Sequence, residues 1–411
     1  MPQQLDPVQL RRLLARTLAT ALAGGPASAQ LLDRWAHAEA PDASWLAALT
    51  WDGIGAALGW ALEALELRDV VPPEVDEAAA TAHEEARAQA VALLADLAAL
   101  GTALEAERVP AVALKGSALL VGNVAPALGA RWMSDLDVLV PEASLEQAGG
   151  VAESLGYAAA LRAPADPPAG FRPYHVSYTN ASGRILELHW KLGPARWGAA
   201  AEASGWLARA RPSGVAGVLS PAAADLFWHQ LLHDARNHAW SSGSLRAAFD
   251  LALIARAPGF TMGDIQRRLD EDPAPAPLLD AVADAAWLSP ILAAEVEPAV
   301  EPRYLRLARW RDWLGRRNWE THRISEAIAW GATFDRVRRF GGWRGAADRA
   351  LRVVPEAAAG IGFWGALRRG VLNARHAGFV LGLGTAHLFA IPESRRVPPR
   401  ALPSPAPLDR G

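Results

Sequence analysis

The sequence predicts an α+β protein in which a small mixed or antiparallel β-sheet is embedded in a largely helical chain. Two observations predict this class. Apolar residues recur at helical spacing through residues 1–105 and again after residue 216. Between these stretches, short runs are continuously apolar or alternate apolar and polar residues, as strands do.

These changes in pattern also predict the domain organisation. We expect an N-terminal helical region, an α+β core, a helical domain that lines a cleft, and a C-terminal helical segment with a Pro-rich tail. Their predicted bounds are residues 1–105, 106–215, 216–352 and 353–411.

The N-terminal region carries clear helix signals. Asp6 followed by Pro7 is typical of a helix N-cap with proline at the first helical position. Downstream, Pro72 and Pro73 precede the segment "DEAAATAHEEARAQAVALLADLAAL", whose residues strongly favour a long helix.

The core is predicted to run strand, turn, helix, strand, helix and hairpin. The apolar run in "RVPAVALKG" ends at Lys-Gly-Ser, and "WMSDLDVLVP" is a second strand that Pro141 bounds. "SLEQAGGVAESLGY" indicates a helix that Gly156 closes. "YHVSYTN" and "RILELHWKL" form a hairpin around "NASG", and Ser220 with Pro221 is expected to start the next helix.

Composition excludes several classes of function. The 411 residues include 41 basic and 44 acidic side chains, for a formal net charge of -3, which argues against nucleic acid as a partner. The arginine- and tryptophan-rich stretch 303–352 is therefore expected to be a solvated helical face. Because the chain has no cysteine, disulfides, thiolate metal sites and cysteine nucleophiles are excluded.

The chain is expected to be cytoplasmic and to have no transmembrane segment. Its N-terminus lacks the basic-then-apolar pattern of a secretory signal. The longest apolar run, residues 376–392, is shorter than the ~20 residues that a membrane span requires. A contact of this run with a membrane surface, flanked by Arg375, Arg395 and Arg396, remains an alternative.

The strongest candidate for a metal site is the pair Asp135 and Asp137. On a strand, residues two apart point to the same face, so the two carboxylates lie side by side. Their mutual repulsion is relieved by a divalent cation, and Mg²⁺ prefers such hard oxygen ligands. The alternative is a solvated aspartate pair on an edge strand.

Further motifs on either side favour the metal site. Glu187 and His189 share one face of the predicted hairpin strand, so Glu187 could supply a third carboxylate. Upstream, Gly116 and Ser117 lie at a strand-to-helix turn, where backbone amides favour a phosphate. Three carboxylates facing a phosphate turn is the layout of a metal-dependent phosphoryl transfer site.

In combination, "KGSALL", "RWMSDLDVLV" and "ILELHW" resemble an uncharacterised bacterial nucleotidyltransferase family of the polymerase-beta-like superfold. The resemblance covers about residues 95–260. It implies a polymerase-beta-like sheet in which the predicted core 106–215 is the nucleotidyltransferase core. It also implies Mg²⁺, with Mn²⁺ as an alternative, and a nucleoside triphosphate, by default ATP.

The resemblance implies roles residue by residue. Asp135 and Asp137 match the metal-binding pair, and Glu187 stands where the third carboxylate is expected, although the superfold more often has aspartate there. Gly116 and Ser117 match the turn that grips phosphate. Asp135, Asp137 and Glu187 are thus the expected catalytic and metal-binding residues.

The two lysines of the chain both lie in the motif segments, at Lys115 and Lys191. A compact, mobile ammonium can follow charge that shifts during phosphoryl transfer, whereas the planar fork of Arg131 suits a fixed oxyanion. We therefore expect all three to bind the nucleotide, with His189 contacting the base or acceptor or orienting Glu187. Chance survival of two lysines in an arginine-biased sequence is the alternative.

The sequence thus predicts a nucleotidyltransferase that moves a nucleoside monophosphate to an acceptor hydroxyl or phosphate. The acceptor is unknown, and a peptide, a protein or a small natural product is conceivable. The alternatives are a non-catalytic module that binds a nucleotide or a partner protein, and a glycosyltransferase that uses Asp-x-Asp. Asp225, His229 and His233 share a helix, and we expect them to be structural or to line the substrate cleft.

Overall fold

The computed structural model of the protein describes residues 5–39, 53–122, 124–159, 174–193, 203–237, 244–272 and 276–305. Residues 1–319 form one compact unit and residues 320–411 a second, and every element given below belongs to the first. The arginine- and tryptophan-rich stretch beyond residue 305, the apolar run 376–392 and the predicted segment 353–411 lie outside the described residues.

The chain before the sheet is helical, as predicted. Asp6 caps the first helix, because its carboxylate accepts the amides of Val8 and Gln9 while the Gln9 side chain accepts the Asp6 amide. Within the described part of this region the helices are α1 (Pro7–Ala23), α2 (Ala29–Ala36), α3 (Gly55–Ala64) and α4 (Pro73–Ala106).

Helix α4 is the longest described element, at 34 residues. Among the described residues it alone is long and apolar enough to cross a membrane by length and composition, which is weak support for a span. Its buried side chains recur every three or four positions and pack against α3. This stripe is the pattern of a core helix.

The sheet begins after α4, and its strands alternate with short helices. In chain order the elements are β1 (Val112–Ala113), α5 (Lys115–Val121), β2 (Asp135–Leu139), a 3-10 turn (Glu142–Ser144), α6 (Leu145–Ser154), β3 (Tyr157–Ala159), β4 (His175–Asn180), β5 (Ile185–His189), α7 (Ser204–Arg209), β6 (Arg211–Pro212) and β7 (Leu219–Ser220).

The seven described strands form one mixed sheet in the order β3-β4-β5-β2-β1-β7-β6. Strand β2 runs parallel to β5 and antiparallel to β1, while β4 and β5 form the predicted antiparallel hairpin. The α+β prediction with a small mixed sheet in a helical chain is therefore confirmed. The short strands β3, β6 and β7 were not predicted.

Helices follow the sheet and cover one side of the site helix α5, which packs on β2 and against α8. The helices are α8 (Ala223–Leu232), a π-helical turn (His233–Asn237), α9 (Leu245–Ile254), α10 (Met262–Glu271), α11 (Ala276–Ala285) and α12 (Pro290–Glu295). The predicted start at Ser220 and Pro221 is wrong. Ser220 lies in β7, where it pairs with Arg211 of β6, so the helix begins only at Ala223.

The core of the described residues runs through three of the four predicted regions. One cluster of buried apolar side chains includes Leu18 in α1, Leu97 in α4, Val138 in β2, Leu226 in α8 and Leu253 in α9. The site is thus built on a sheet that packed helices support. The bounds predicted for the separate domains remain predictions.

Candidate active site

Two neighbouring parallel strands bring the three predicted carboxylates together. Asp135 and Asp137 share one face of β2, and Asp137 lies directly opposite Glu187 in the register of β2 and β5. Ligand atoms of Asp135, Asp137 and Glu187 all lie within 4.8 Å of one another. The apolar residues between them, Leu136 and Val138, are buried in the core, which fixes which face carries the acids.

Asp137 is the centre of this cluster, and its side chain is only 3% exposed. Its Oδ1 accepts hydrogen bonds from Lys115 Nζ at 2.6 Å and His189 Nε2 at 2.9 Å. Burial would raise the pKa of Asp137, but Lys115 and His189 outweigh it and hold the pKa well below its usual range. Asp137 is therefore a carboxylate whose ionised form is stabilised by two cationic or polar neighbours.

Glu187 shares these neighbours. Its Oε2 lies 3.2 Å from His189 Nε2 and 3.5 Å from Lys115 Nζ, while its Oε1 accepts from Ser177 Oγ at 3.4 Å. Burial works against ionisation, yet the hydrogen bond from His189 and the charge of Lys115 lower the pKa of Glu187. The glutamate reaches the position expected for the third carboxylate.

Asp135 differs from the other two acids. It accepts a hydrogen bond from Ser134 Oγ at 3.0 Å. Burial and the nearby charge of Asp137 together raise its pKa, despite the opposing effect of Lys115. Part of the charge on this acid is therefore not balanced by the side chains around it.

Lys115 is the first residue of α5, and its side chain reaches across to the acids. Its φ of 45 lies in the left-handed region, where a residue with a β-carbon is strained. Burial would lower the pKa of the ammonium, but Asp137 and Glu187 raise it above its usual value. Lys115 is thus a permanently charged partner of the acid cluster, held by an uncommon backbone conformation.

Gly116 is the position where α5 approaches the loop before β2 most closely. A β-carbon there would lie 2.5 Å from a terminal guanidinium nitrogen of Arg131 and 3.2 Å from Met133. Arg131 itself forms a two-fold pair with Asp250 of α9, at 2.8 and 2.9 Å. The arginine predicted to contact phosphate therefore ties the site loop to the helical wall, and its role in phosphate binding remains a prediction.

Ser117 and Lys191 are placed differently from the other predicted residues. Ser117 is fully buried, and its Oγ accepts the backbone amide of Asp137 at 2.9 Å, which locks α5 onto β2. Strand β5 ends at His189, so Lys191 follows in a bend, beyond the strand face that carries Glu187 and His189. The nucleotide-binding roles of Ser117 and Lys191 remain predictions.

His175 belongs to the cluster and was missed from the sequence. It lies opposite His189 in the hairpin register, and its Nε2 is 3.5 Å from Glu187 Oε1. The rings of His175 and His189 are 5.0 Å apart, and burial together with His189 lowers the pKa of His175. The signal that could have found it was the hairpin register counted across the "NASG" loop.

The histidines of α8 do not join the acids. His229 Nε2 donates to the carbonyl of Leu192 at 2.9 Å, and burial holds its pKa well below the usual value. Asp225 pairs with Arg209 and Arg268. These contacts agree with the structural role expected for this helix, and His238 lies outside the described residues.

The residues present fit a divalent metal ion. Three carboxylates supply hard oxygen ligands within 4.8 Å of one another, and burial together with the charge of Asp137 raises the pKa of Asp135. His175, Glu187 and His189 form a second group of the same compactness, which shares Glu187 with the first. Metal binding by this cluster is consistent with its donor set.

These features define the class of protein: an α+β chain whose mixed sheet carries a three-carboxylate site beside a glycine-containing turn. The chain belongs to the family described as "uncharacterised nucleotidyltransferase", whose profile matches residues 39–288. All the predicted site residues lie within the match, and the family prediction is confirmed. A search of curated proteins finds no significant match.

Proposed function

We propose that this protein is a divalent-metal-dependent nucleotidyltransferase that moves a nucleoside monophosphate from a nucleoside triphosphate to an acceptor hydroxyl or phosphate. The observation that supports it is the convergence of Asp135, Asp137 and Glu187 on adjacent parallel strands, with ligand atoms within 4.8 Å of one another. Family membership supports the transferase class at the coarse level.

The three carboxylates would hold the metal, Mg²⁺ in the first instance and Mn²⁺ as the alternative. A divalent ion bound there supplies a Lewis acid that offsets charge on the phosphates and on the attacking oxygen. Asp135 is the acid that gains most from a cation, because its pKa is raised by burial and by Asp137.

The nucleotide side of the site is assigned to the turn and its neighbours. Gly116 presents backbone without a β-carbon, and Lys115 supplies a permanent positive charge beside it. Lys115 would neutralise the leaving pyrophosphate. Ser117, Arg131, His189 and Lys191 complete the proposed nucleotide-binding set, in which Ser117 and Arg131 also hold α5 and the loop before β2 in place.

In the proposed reaction, the α-phosphoryl group passes from pyrophosphate to the acceptor. The acceptor oxygen forms a bond to the α-phosphorus, and the bond from that phosphorus to the β-bridging oxygen breaks, so that pyrophosphate leaves. The proton of an acceptor hydroxyl passes to Glu187, which His189 and Lys115 keep in the ionised form. The nucleotide is ATP by default, and the acceptor is a peptide, a protein or a small molecule.

The other candidate functions gain no specific support. A glycosyltransferase would place a parallel nucleotide-binding sheet before Asp135, whereas helices α1 to α4 precede the first strand of the described sheet. A non-catalytic nucleotide-binding module would retain binding without transfer. We propose a cytoplasmic location.

The test measures nucleotide binding and transfer separately. Binding of each α,β-methylene nucleoside triphosphate with Mg²⁺ is measured by calorimetry for wild type and Asp137→Asn. Transfer is measured as pyrophosphate release with pools of candidate acceptors. We expect wild type to bind one base with metal dependence, and Asp137→Asn to lose this binding because the buried acid contributes to the metal site.

Asp264→Asn is the matched control, because Asp264 lies in α10 and contacts Thr261 and Arg267 instead of the acid cluster. It removes the same charge and should bind nucleotide as wild type does. Binding without transfer would favour the non-catalytic module. A folded wild type that binds none of the nucleotides, with or without metal, would overturn the proposal.

A further inference from the structure

Lys115 contacts the same oxygens that a metal would use. Its Nζ lies 2.6 Å from Asp137 Oδ1 and 3.5 Å from Glu187 Oε2, and its charge also acts on Asp135. The side chain is only 14% exposed. The ammonium of Lys115 therefore occupies the place of a cation beside two of the three acids.

The charge balance of the cluster leaves room for one stronger cation. Three carboxylates face the one ammonium of Lys115. His189 Nε2 is within hydrogen-bonding distance of both Asp137 and Glu187, so it acts as a donor to them. Two negative charges of the three are therefore not matched by Lys115.

We propose that Lys115 is an internal counter-ion that competes with the divalent metal for Asp137 and Glu187, and that metal binding displaces its ammonium towards the phosphate side of the site. This inference rests on the metal site of the proposed function. It adds an exchange of partners: the lysine leaves the acids when the metal arrives and becomes available to the triphosphate.

The backbone explains why a lysine can make this exchange. The positive φ at Lys115 sets its side chain over β2, while the flexible four-carbon stem allows the ammonium to swing without moving α5. Helix α5 itself is held by Ser117 on the amide of Asp137. The ammonium can therefore change partners while the glycine turn stays in place.

The inference is tested on metal binding alone. Full-length wild type, Lys115→Met and Lys115→Asn are freed of metal with EDTA, and Mn²⁺ affinity is measured by electron paramagnetic resonance titration. We expect each variant to bind Mn²⁺ about tenfold or more tightly than wild type. An opposite charge in contact with a carboxyl group shifts its pKa by about one unit or more, which corresponds to a tenfold change in the binding of a competing cation. Asparagine is included because it adopts positive φ more readily than most residues.

Stability supplies the second readout. Without metal, the variants should unfold at lower urea concentration than wild type, since the acids lose their counter-ion, and saturating Mn²⁺ should raise their midpoints by more than it raises the wild-type midpoint. Arg184→Met is the matched control: it also removes a cation from an ion pair, with Asp96, and should leave Mn²⁺ affinity unchanged.

The outcomes separate this inference from the proposed function. Equal or weaker Mn²⁺ binding by both folded Lys115 variants overturns the competition while the metal site stands. If wild type and all variants fail to bind Mn²⁺, the competition and the metal-dependent reaction are both overturned. Tighter binding in the variants together with unchanged binding in Arg184→Met supports the exchange.

Discussion

The β4–β5 hairpin carries an acid–cation cluster at each end, and the two clusters are built in opposite ways. Near its turn, one carboxylate, Asp96 of α4, accepts from Tyr157, Asn180 and two nitrogens of the Arg184 guanidinium. At the other end, three carboxylates lie together, and two of them, Asp137 and Glu187, contact the ammonium of Lys115 and the ring nitrogens of two histidines.

The difference distinguishes a cluster that joins secondary-structure elements from a cluster whose negative charge is not balanced. At Asp96 the donors satisfy one charge, so α4, β3 and the hairpin are held together, and the pKa of the acid is lowered although burial opposes this. At the site the acids outnumber their partners, and the pKa of Asp135 is raised. Unbalanced charge that the fold maintains is typical of a functional site.

The largest expected effect comes from replacing an acid at the site end. Glu187→Gln keeps the shape and the hydrogen bond with Ser177 but removes one proposed metal ligand, which is also the proposed proton acceptor. We expect the rate of monophosphate transfer to fall by about 100-fold or more, as it does when one electrostatic contact to a transition state is lost. Single-turnover pyrophosphate release at saturating Mg²⁺ measures it.

If folded Glu187→Gln transferred the monophosphate at the wild-type rate, the acids at this end of the hairpin would not differ in function from Asp96. A denaturation curve of Glu187→Gln separates loss of activity from loss of structure. Because the lowered pKa of Glu187 means that its charge stabilises the fold, the variant should unfold at a somewhat lower urea concentration and still be folded under assay conditions.

The second effect belongs to the joining cluster. Asp96→Asn leaves the Arg184 guanidinium without its anion, and we expect the free energy of unfolding to fall by about 2 kcal/mol at neutral pH. Transfer activity and Mn²⁺ affinity should stay within twofold of wild type. Urea denaturation with both binding assays measures the three quantities.

The pH dependence of this loss follows from the lowered pKa of Asp96, which the hydrogen bond from Arg184 causes against the opposing effect of burial. The folded state binds this proton less tightly than the unfolded state does. The stabilisation is therefore complete above the unfolded value of 3.8 and is lost as pH falls through the lower folded value. A difference between wild type and Asp96→Asn that persists unchanged into strong acid would contradict the ion-pair origin.

How much of this could be read from the sequence depends on the separation of the partners. The shared face of Asp135 and Asp137 follows from the two-residue period of a strand, and the Asp6 cap follows from its neighbours. The order of strands is needed to place Glu187 beside Asp137, and the resemblance to a family supplied that position.

Contacts between distant segments were out of reach. Arg131 and Asp250 are 119 residues apart, so no local pattern announces that the arginine is already paired. His175 needed the hairpin register, and the two-residue strand at Ser220 exists only because β1 and β6 lie on either side of it. Propensity predicted a helix start there, and tertiary hydrogen bonds prevailed.

The smallest expected effect sharpens the contrast most directly, because its sign is opposite to that at Asp96. The pKa of Asp135 is raised, first by burial and then by Asp137, so its charged form costs stability in the folded state. In EDTA at neutral pH, Asp135→Asn should therefore raise the free energy of unfolding by up to about 1 kcal/mol. This gain should vanish below the usual pKa of 3.8, where the wild-type acid is protonated in both states.

Saturating Mn²⁺ should reverse the order of stability of the two proteins, since wild type gains the binding energy of the ion and the variant lacks a proposed ligand. Urea midpoints of the two proteins, with and without Mn²⁺, measure both signs. A variant that is less stable than wild type in EDTA would mean that the acids at this end of the hairpin are as well balanced as Asp96.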